Sequence, residues 1–174
     1  MISIRTLAAS LGLLVLLGGA AGAADDAGVD APTILITGAN RGIGLEFVRQ
    51  SAERGWQVIA TARKPAEAAE LQALAAGNPR IVIEPLDVTD FDQIDALAAK
   101  YRDRPIDVLL NNAGISGSMQ DQMFGRHSDW AMFERILRTN TIAPLKMAEA
   151  FLPHLLASGQ KKLVNVSSSE GSIG

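Results

Sequence analysis

From Thr33 onward the chain alternates short β-branched apolar runs with stretches whose apolar residues recur at helical spacing. That alternation predicts a parallel sheet with helices on both faces. Strands are expected at Thr33–Thr37, Gln57–Thr61, Ile81–Pro85, Ile106–Asn111 and Lys162–Val166. Helices are expected near Gly42–Arg54, Pro65–Ala76, Phe91–Arg102 and Asp129–Ala157. The runs Ile34-Leu35-Ile36 and Val108-Leu109-Leu110 are continuously apolar, as strands covered on both faces are. Ser128 is placed to cap the last helix and Ser158-Gly159 to stop it. No internal repeat, low-complexity tract or second domain breaks the pattern. Right-handed crossovers then give strand order 3-2-1-4-5, an α/β, doubly wound sheet of Rossmann type.

The first two dozen residues follow a different pattern. Arg5 lies in a short polar start, Leu7–Leu17 is an apolar run, and Ala21-Gly22-Ala23 offers a small-x-small cleavage site, which together make a secretory signal peptide over residues 1–23. Residues 24–32 would be a linker, and 33–174 the nucleotide-binding domain. An uncleaved anchor is the rival, though the run is short for a span of about 20 residues. The leader predicts a periplasmic or secreted protein with no membrane attachment after cleavage. A misassigned start, for instance at Val29, would instead leave it cytoplasmic.

Composition narrows the chemistry. The 174 residues have room for about one domain. A net charge of −3 gives no electrostatic case for nucleic acid, and Lys161-Lys162 read as a solvated element end. With no cysteine there is no disulfide, thiolate nucleophile or cysteine-ligated metal. His127 and His154 lack metal-ligand spacing, so no metal site is expected and a packing or surface role suits both.

Candidate chemistry gathers at the strand ends. Thr37-Gly38-Ala39-Asn40-Arg41-Gly42-Ile43-Gly44 sits where the first strand turns into a helix. A backbone that must turn sharply, approach a pyrophosphate and present a helix N-terminus needs glycines there. The spacing is Gly-x-x-x-Gly-x-Gly. At the end of the second strand no acid is available for a ribose 2′-hydroxyl; Ala62 holds that position and Arg63 follows. Arg41 and Arg63 converging on that corner suit a 2′-phosphate, so NADP(H) is expected over NAD(H). Two solvated loop arginines are the plainer alternative. Pro144 lies four residues after Asn140 and has no N–H to offer its carbonyl, so a kink is expected there. Asn165-Val166-Ser167 fits a glycosylation sequon, but it runs through an expected buried strand.

These motifs, with Asn111-Asn112-Ala113-Gly114 and Asn165-Val166-Ser167-Ser168-Ser169-Glu170-Gly171, resemble in order and spacing the nucleotide-binding half of the short-chain dehydrogenase/reductase family. Thr139-Asn140-Thr141-Ile142-Ala143-Pro144 is similar to its carbonyl-reductase-like and C-factor-like branch. The resemblance implies hydride transfer between nicotinamide and a small-molecule carbonyl or alcohol, in a homo-oligomer when full length. It implies that Asp87, beside Val88, accepts from the adenine amino group, with an aspartate capping the helix at Thr89-Asp90 as the alternative. Asn112, Ala113 and Gly114 would fix the sheet and line the nicotinamide ribose. Ser168 would bond the substrate carbonyl oxygen, with Ser167 the runner-up, and Asn140 would hold a water in the proton relay. Ser116–Arg126 would rim the pocket or form an ordinary long loop.

The family's Tyr-x-x-x-Lys pair is expected roughly a dozen residues past the serines, whereas the only tyrosine here is Tyr101. The expectation is therefore an inactive N-terminal fragment, its C-terminal strands and helices missing and its fifth strand an open apolar edge. A non-catalytic nucleotide-binding or regulatory remnant and a non-functional truncated product are the alternatives.

Overall fold

The computed structural model describes residues 31–117 and 129–168. The leader, the Ser128 cap, His127, most of the 116–126 segment and everything after Ser168 lie outside the described residues. Five parallel strands form one sheet in the order β3-β2-β1-β4-β5, the topology expected from the pattern. They are β1 Thr33–Ile36, β2 Gln57–Ala62, β3 Ile81–Pro85, β4 Val108–Asn111 and β5 Lys162–Asn165. The helices are α1 Gly42–Glu53, α2 Ala69–Ala76, α3 Phe91–Lys100, α4 Trp130–Leu137 and α5 Ala143–Ala157.

Alternate strand residues point to opposite faces, and each face has its own core. Leu35, Ile59 and Leu109 pack with Ile94 of α3 and Met147 and Phe151 of α5. Ile34, Ile36, Val58, Ala60 and Leu110 pack with Val48 of α1 and Leu71 of α2. The register places Leu35 between Ile59 and Leu109, which closes the middle of the sheet.

Two details of the helices differ from expectation. The helix over Pro65–Ala76 splits into a 3-10 turn, Pro65–Glu67, and α2, because Ala68 at φ −93, ψ 65 leaves helical geometry. The cap of α4 is Asp129, whose carboxylate accepts from Met132 N. Ser158 does end α5, its hydroxyl donating to the Leu155 carbonyl at 2.8 Å. The left-handed residue beyond it is Lys161 (φ 53) and not a glycine. Lys161 N–H donates to Ser158 Oγ and Lys162 N–H to the Asp107 carbonyl, turning the chain sharply into β5.

The expected kink at Pro144 is a π-turn, Arg138–Ile142, between α4 and α5, with Ala143 N–H donating to the Arg138 carbonyl five residues back. Along the outer side of these helices Leu137, Leu145, Leu152 and Leu156 are exposed, as are Leu163, Val164 and Val166 along β5. Among the described residues no helix is long and apolar enough to cross a membrane.

Candidate active site

All the strands run parallel, so their C-terminal ends open on one side of the sheet, where a crevice forms beside the β1/β4 switch point. Gly38 has φ +66, and a Cβ there would stand 2.8 Å from Ala113 Cα, so only glycine allows the two loops to touch. Gly44 lies against the Gly38 carbonyl and the Asn112 amide, with no room for a side chain. Gly42 is also left-handed (φ +56), with open space around it. Arg41 occupies the N-cap of α1 in extended conformation, and neither a side-chain cap nor an acid occupies the first turn. The positive end of the helix therefore faces the crevice.

A buried knot holds this turn. Thr37 Oγ1 accepts from Asn112 N and Ala113 N, both at 3.0 Å. Asn112 Nδ2 in turn donates to the Thr37 and Gly38 carbonyls at 3.0 and 3.1 Å. Asn112 thus joins the glycine turn to the end of β4.

A groove of about 1170 Å³ runs from this turn toward the ends of β2 and β3. Asn40, Arg41, Gly42 and Ile43 line it together with Arg63, Asp87, Val88 and Gly114. Arg41 and Arg63 are both exposed; Lys64 beside them is paired with Glu67 at 2.9 Å. Asp87 does not cap α3. Asp90 does, accepting from Gln93 N, while Asp87 Oδ1 accepts from Thr89 N and Oγ1 at 2.9 and 2.7 Å. Burial pushes the Asp87 carboxyl up, but the two Thr89 bonds, then Arg63 and Arg135, outweigh it and hold the group below the ordinary carboxylate value. Its Oδ2 has no partner among the described residues.

A second cavity, about 660 Å³, adjoins the groove at Ala113 and is lined by both Asn140 and Ser168, along with Ser167 and Asn165. Asn140 stands in the π-turn and grips the backbone of Ile115, Nδ2 to its carbonyl at 2.8 Å and Oδ1 from its N–H at 3.0 Å. Asn111 Nδ2 donates to Asn165 Oδ1 at 2.9 Å, tying β4 to β5 beneath the serines.

A family model described as short chain dehydrogenase matches residues 32–174. The chain belongs to that family. It is 34% identical over 160 residues to (+)-neomenthol dehydrogenase of Arabidopsis thaliana, covering 80% of this chain and 54% of that protein. An NADPH-bound carbonyl reductase from chicken fatty liver superposes with TM-score 0.74 at 38% identity, covering 82% of this chain and 62% of that one. A short-chain dehydrogenase/reductase of Burkholderia multivorans with bound NADP gives 0.72 at 34% identity, covering 82% and 61%. The chain thus spans a little over half the length of these relatives.

In this member of the short-chain dehydrogenases, Tyr101 has a structural place. It ends α3, and its hydroxyl donates to Glu84 Oε1 of β3 at 2.7 Å, while Lys100 pairs with the same carboxylate at 2.6 Å. Burial first, and then Glu84, push the Tyr101 phenol above its ordinary value. His154 is buried in the core, its Nε2 3.0 Å from the Ala98 carbonyl. Among the described residues no cluster of three or more His, Asp or Glu side chains could hold a metal.

Sequence reasoning missed Arg135 and Arg138, which reach the groove from α4 and the π-turn. Their i, i+3 spacing places them on one helix face. Nothing local says that this face meets the loop after β3.

Proposed function

We propose that this chain is the cofactor-binding part of an NADP(H)-dependent oxidoreductase acting on a small carbonyl or alcohol. The observation that carries the reading is the glycine turn opening onto a groove flanked by Arg41 and Arg63, with Asp87 beyond them. The fit is specific: the crowding at Gly38 and Gly44 keeps the backbone low, and the uncapped N-terminus of α1 offers N–H donors to a pyrophosphate. The NADPH- and NADP-bound relatives support the same choice.

In this reading Arg41 and Arg63 hold the 2′-phosphate, Asp87 accepts from the adenine amino group beside Val88, and Asn112–Gly114 border the nicotinamide ribose. Ser168 bonds the carbonyl oxygen of the substrate, and Asn140 holds a relay water. When bound, the nicotinamide supplies or accepts the hydride.

The 174-residue polypeptide itself is expected to bind nucleotide without turnover. Its one tyrosine is committed to Glu84, and general acid/base catalysis contributes about 10²–10⁴-fold. Export through residues 1–23, or a cytoplasmic product from a later start, and a homo-oligomeric full-length form complete the proposal.

Titration with NADPH and NADH tests the cofactor assignment. Arg63→Ala should weaken NADPH by about ten- to hundredfold, the loss of one charge-assisted contact, and leave NADH nearly unchanged. An unaltered NADPH/NADH ratio would sink it.

A further inference from the structure

We propose that Arg138 is a positioning residue that fastens the loop after β3, residues 86–90, to the π-turn carrying Asn140, setting both ends of the groove as one unit. The inference deepens the cofactor reading above and rests on it for its effect on binding. Arg138 stands at the first position of the π-turn, where its backbone carbonyl takes the five-residue bond from Ala143. Its side chain leaves the helix in another direction. Nε and Nη2 both donate to the Thr89 carbonyl, at 3.1 and 2.8 Å. The guanidinium lies over the Phe91 ring, 4.5 Å from its centre, and Phe91 packs against the core. Two bonds and a stacked plane leave the group little freedom.

Both ends of this strap lead into the site. Thr89 is the residue whose N–H and hydroxyl hold Asp87 Oδ1, which leaves Oδ2 for another donor. Two residues beyond Arg138, Asn140 grips Ile115, which follows Gly114 at the far end of the groove. A short covalent and hydrogen-bonded path therefore joins Asp87, Thr89, Arg138, Asn140 and Ile115. Arg135, one turn earlier, lines the same groove with no such bond to the loop among those described. Exposed arginine contacts add little to global stability, so the consequence of this one is geometric.

The test combines amide hydrogen exchange on the nucleotide-free protein with NADPH and NADH titrations, for wild type, Arg138→Met and Arg138→Lys. Arg138→Met should speed exchange at Thr89 and Ile115 while core amides such as Leu109 keep their protection. It should weaken NADPH and NADH by the same factor, about three- to tenfold. Arg138→Lys, which can still donate to the Thr89 carbonyl, should recover much of both effects. Unchanged exchange at Thr89 and Ile115, or acceleration that includes Leu109, overturns the proposal. A wild type that binds neither dinucleotide, yet shows the exchange response, would defeat the cofactor reading and leave the strap standing.

Discussion

Replacing Thr37 by valine isolates the knot that shapes the crevice. Valine keeps the β-branched outline, so no cavity opens and β1 keeps its packing. What disappears is one oxygen that accepts two backbone N–H groups, Asn112 N and Ala113 N, each at 3.0 Å. Thr37 is 1% exposed, so water does not replace it without disruption. A buried donor left unpaired costs about 1–3 kcal/mol. Asn112 and Ala113 are only partly buried, which places the pair toward the lower half, about 2–4 kcal/mol in total. For a domain of this size that corresponds to a fall in Tm of about 5–15 °C. Thermal unfolding at low concentration, followed by the fluorescence of Trp56 and Trp130, reads it out. Thr37→Ser keeps the oxygen and loses one methyl group, so it should cost only about 1 kcal/mol. NADPH affinity should fall with the valine variant and not with serine, because the freed loop no longer holds Gly38 against Ala113. A valine variant within about 0.5 kcal/mol of wild type, or a serine variant as damaged as valine, would refute the reasoning.

Three further outcomes are expected. The single tyrosine makes alkaline titration a clean signal: Tyr101 is raised above its ordinary value, so 295 nm absorbance should show no tyrosinate past about pH 10 until the chain unfolds. Its raised value stabilises the fold fully below the unfolded pKa, and that share is lost as pH climbs toward the folded one; Tyr101→Phe should flatten the alkaline limb of a stability profile. Asp87 is depressed, so its contribution is present above about pH 4 and is lost as pH falls through the lower folded value; the stability gap between wild type and Asp87→Asn should close in acid. Leu145, 71% exposed, and Leu163 on the β5 edge should drive self-association; replacing both by lysine should reduce light scattering at micromolar concentration, and unchanged scattering would count against that role.

What the sequence made legible follows from the range of the interactions. Strand positions need only a local apolar run, and the order β3-β2-β1-β4-β5 follows from crossover handedness. A helix distortion here was visible, as a kink and not as a π-turn, because Pro144 withholds an N–H from a carbonyl four residues back, again a local fact. Arg138 was not visible, because its partner Thr89 lies 49 residues away and no spacing rule links a helix arginine to a loop carbonyl. Asn112 was marked for the site, but its bonds to Thr37 and Gly38, across 75 and 74 residues, make it first a strut between two loops. Lys161 took the left-handed position beyond α5 because hydrogen bonds from tertiary structure outweigh a local preference for glycine.

The two cavities differ in how they are held. The groove is shaped by contacts made without ligand: the bonds of Thr37 with Asn112, and the contact of Gly38 with Ala113. A dinucleotide meeting it would need little reorganisation, so less of the binding energy goes into ordering loops. Asn140 and Ser168 line the other cavity, but its wall along β5 consists of exposed residues, Leu163, Val166 and Ser167 among them. Nucleotide affinity should therefore respond to Thr37, Arg63 and Arg138, and remain when Ser168 is changed to alanine. An affinity for NADPH that collapsed with Ser168→Ala would mean that the two cavities act as one, against the separate support seen in the fold.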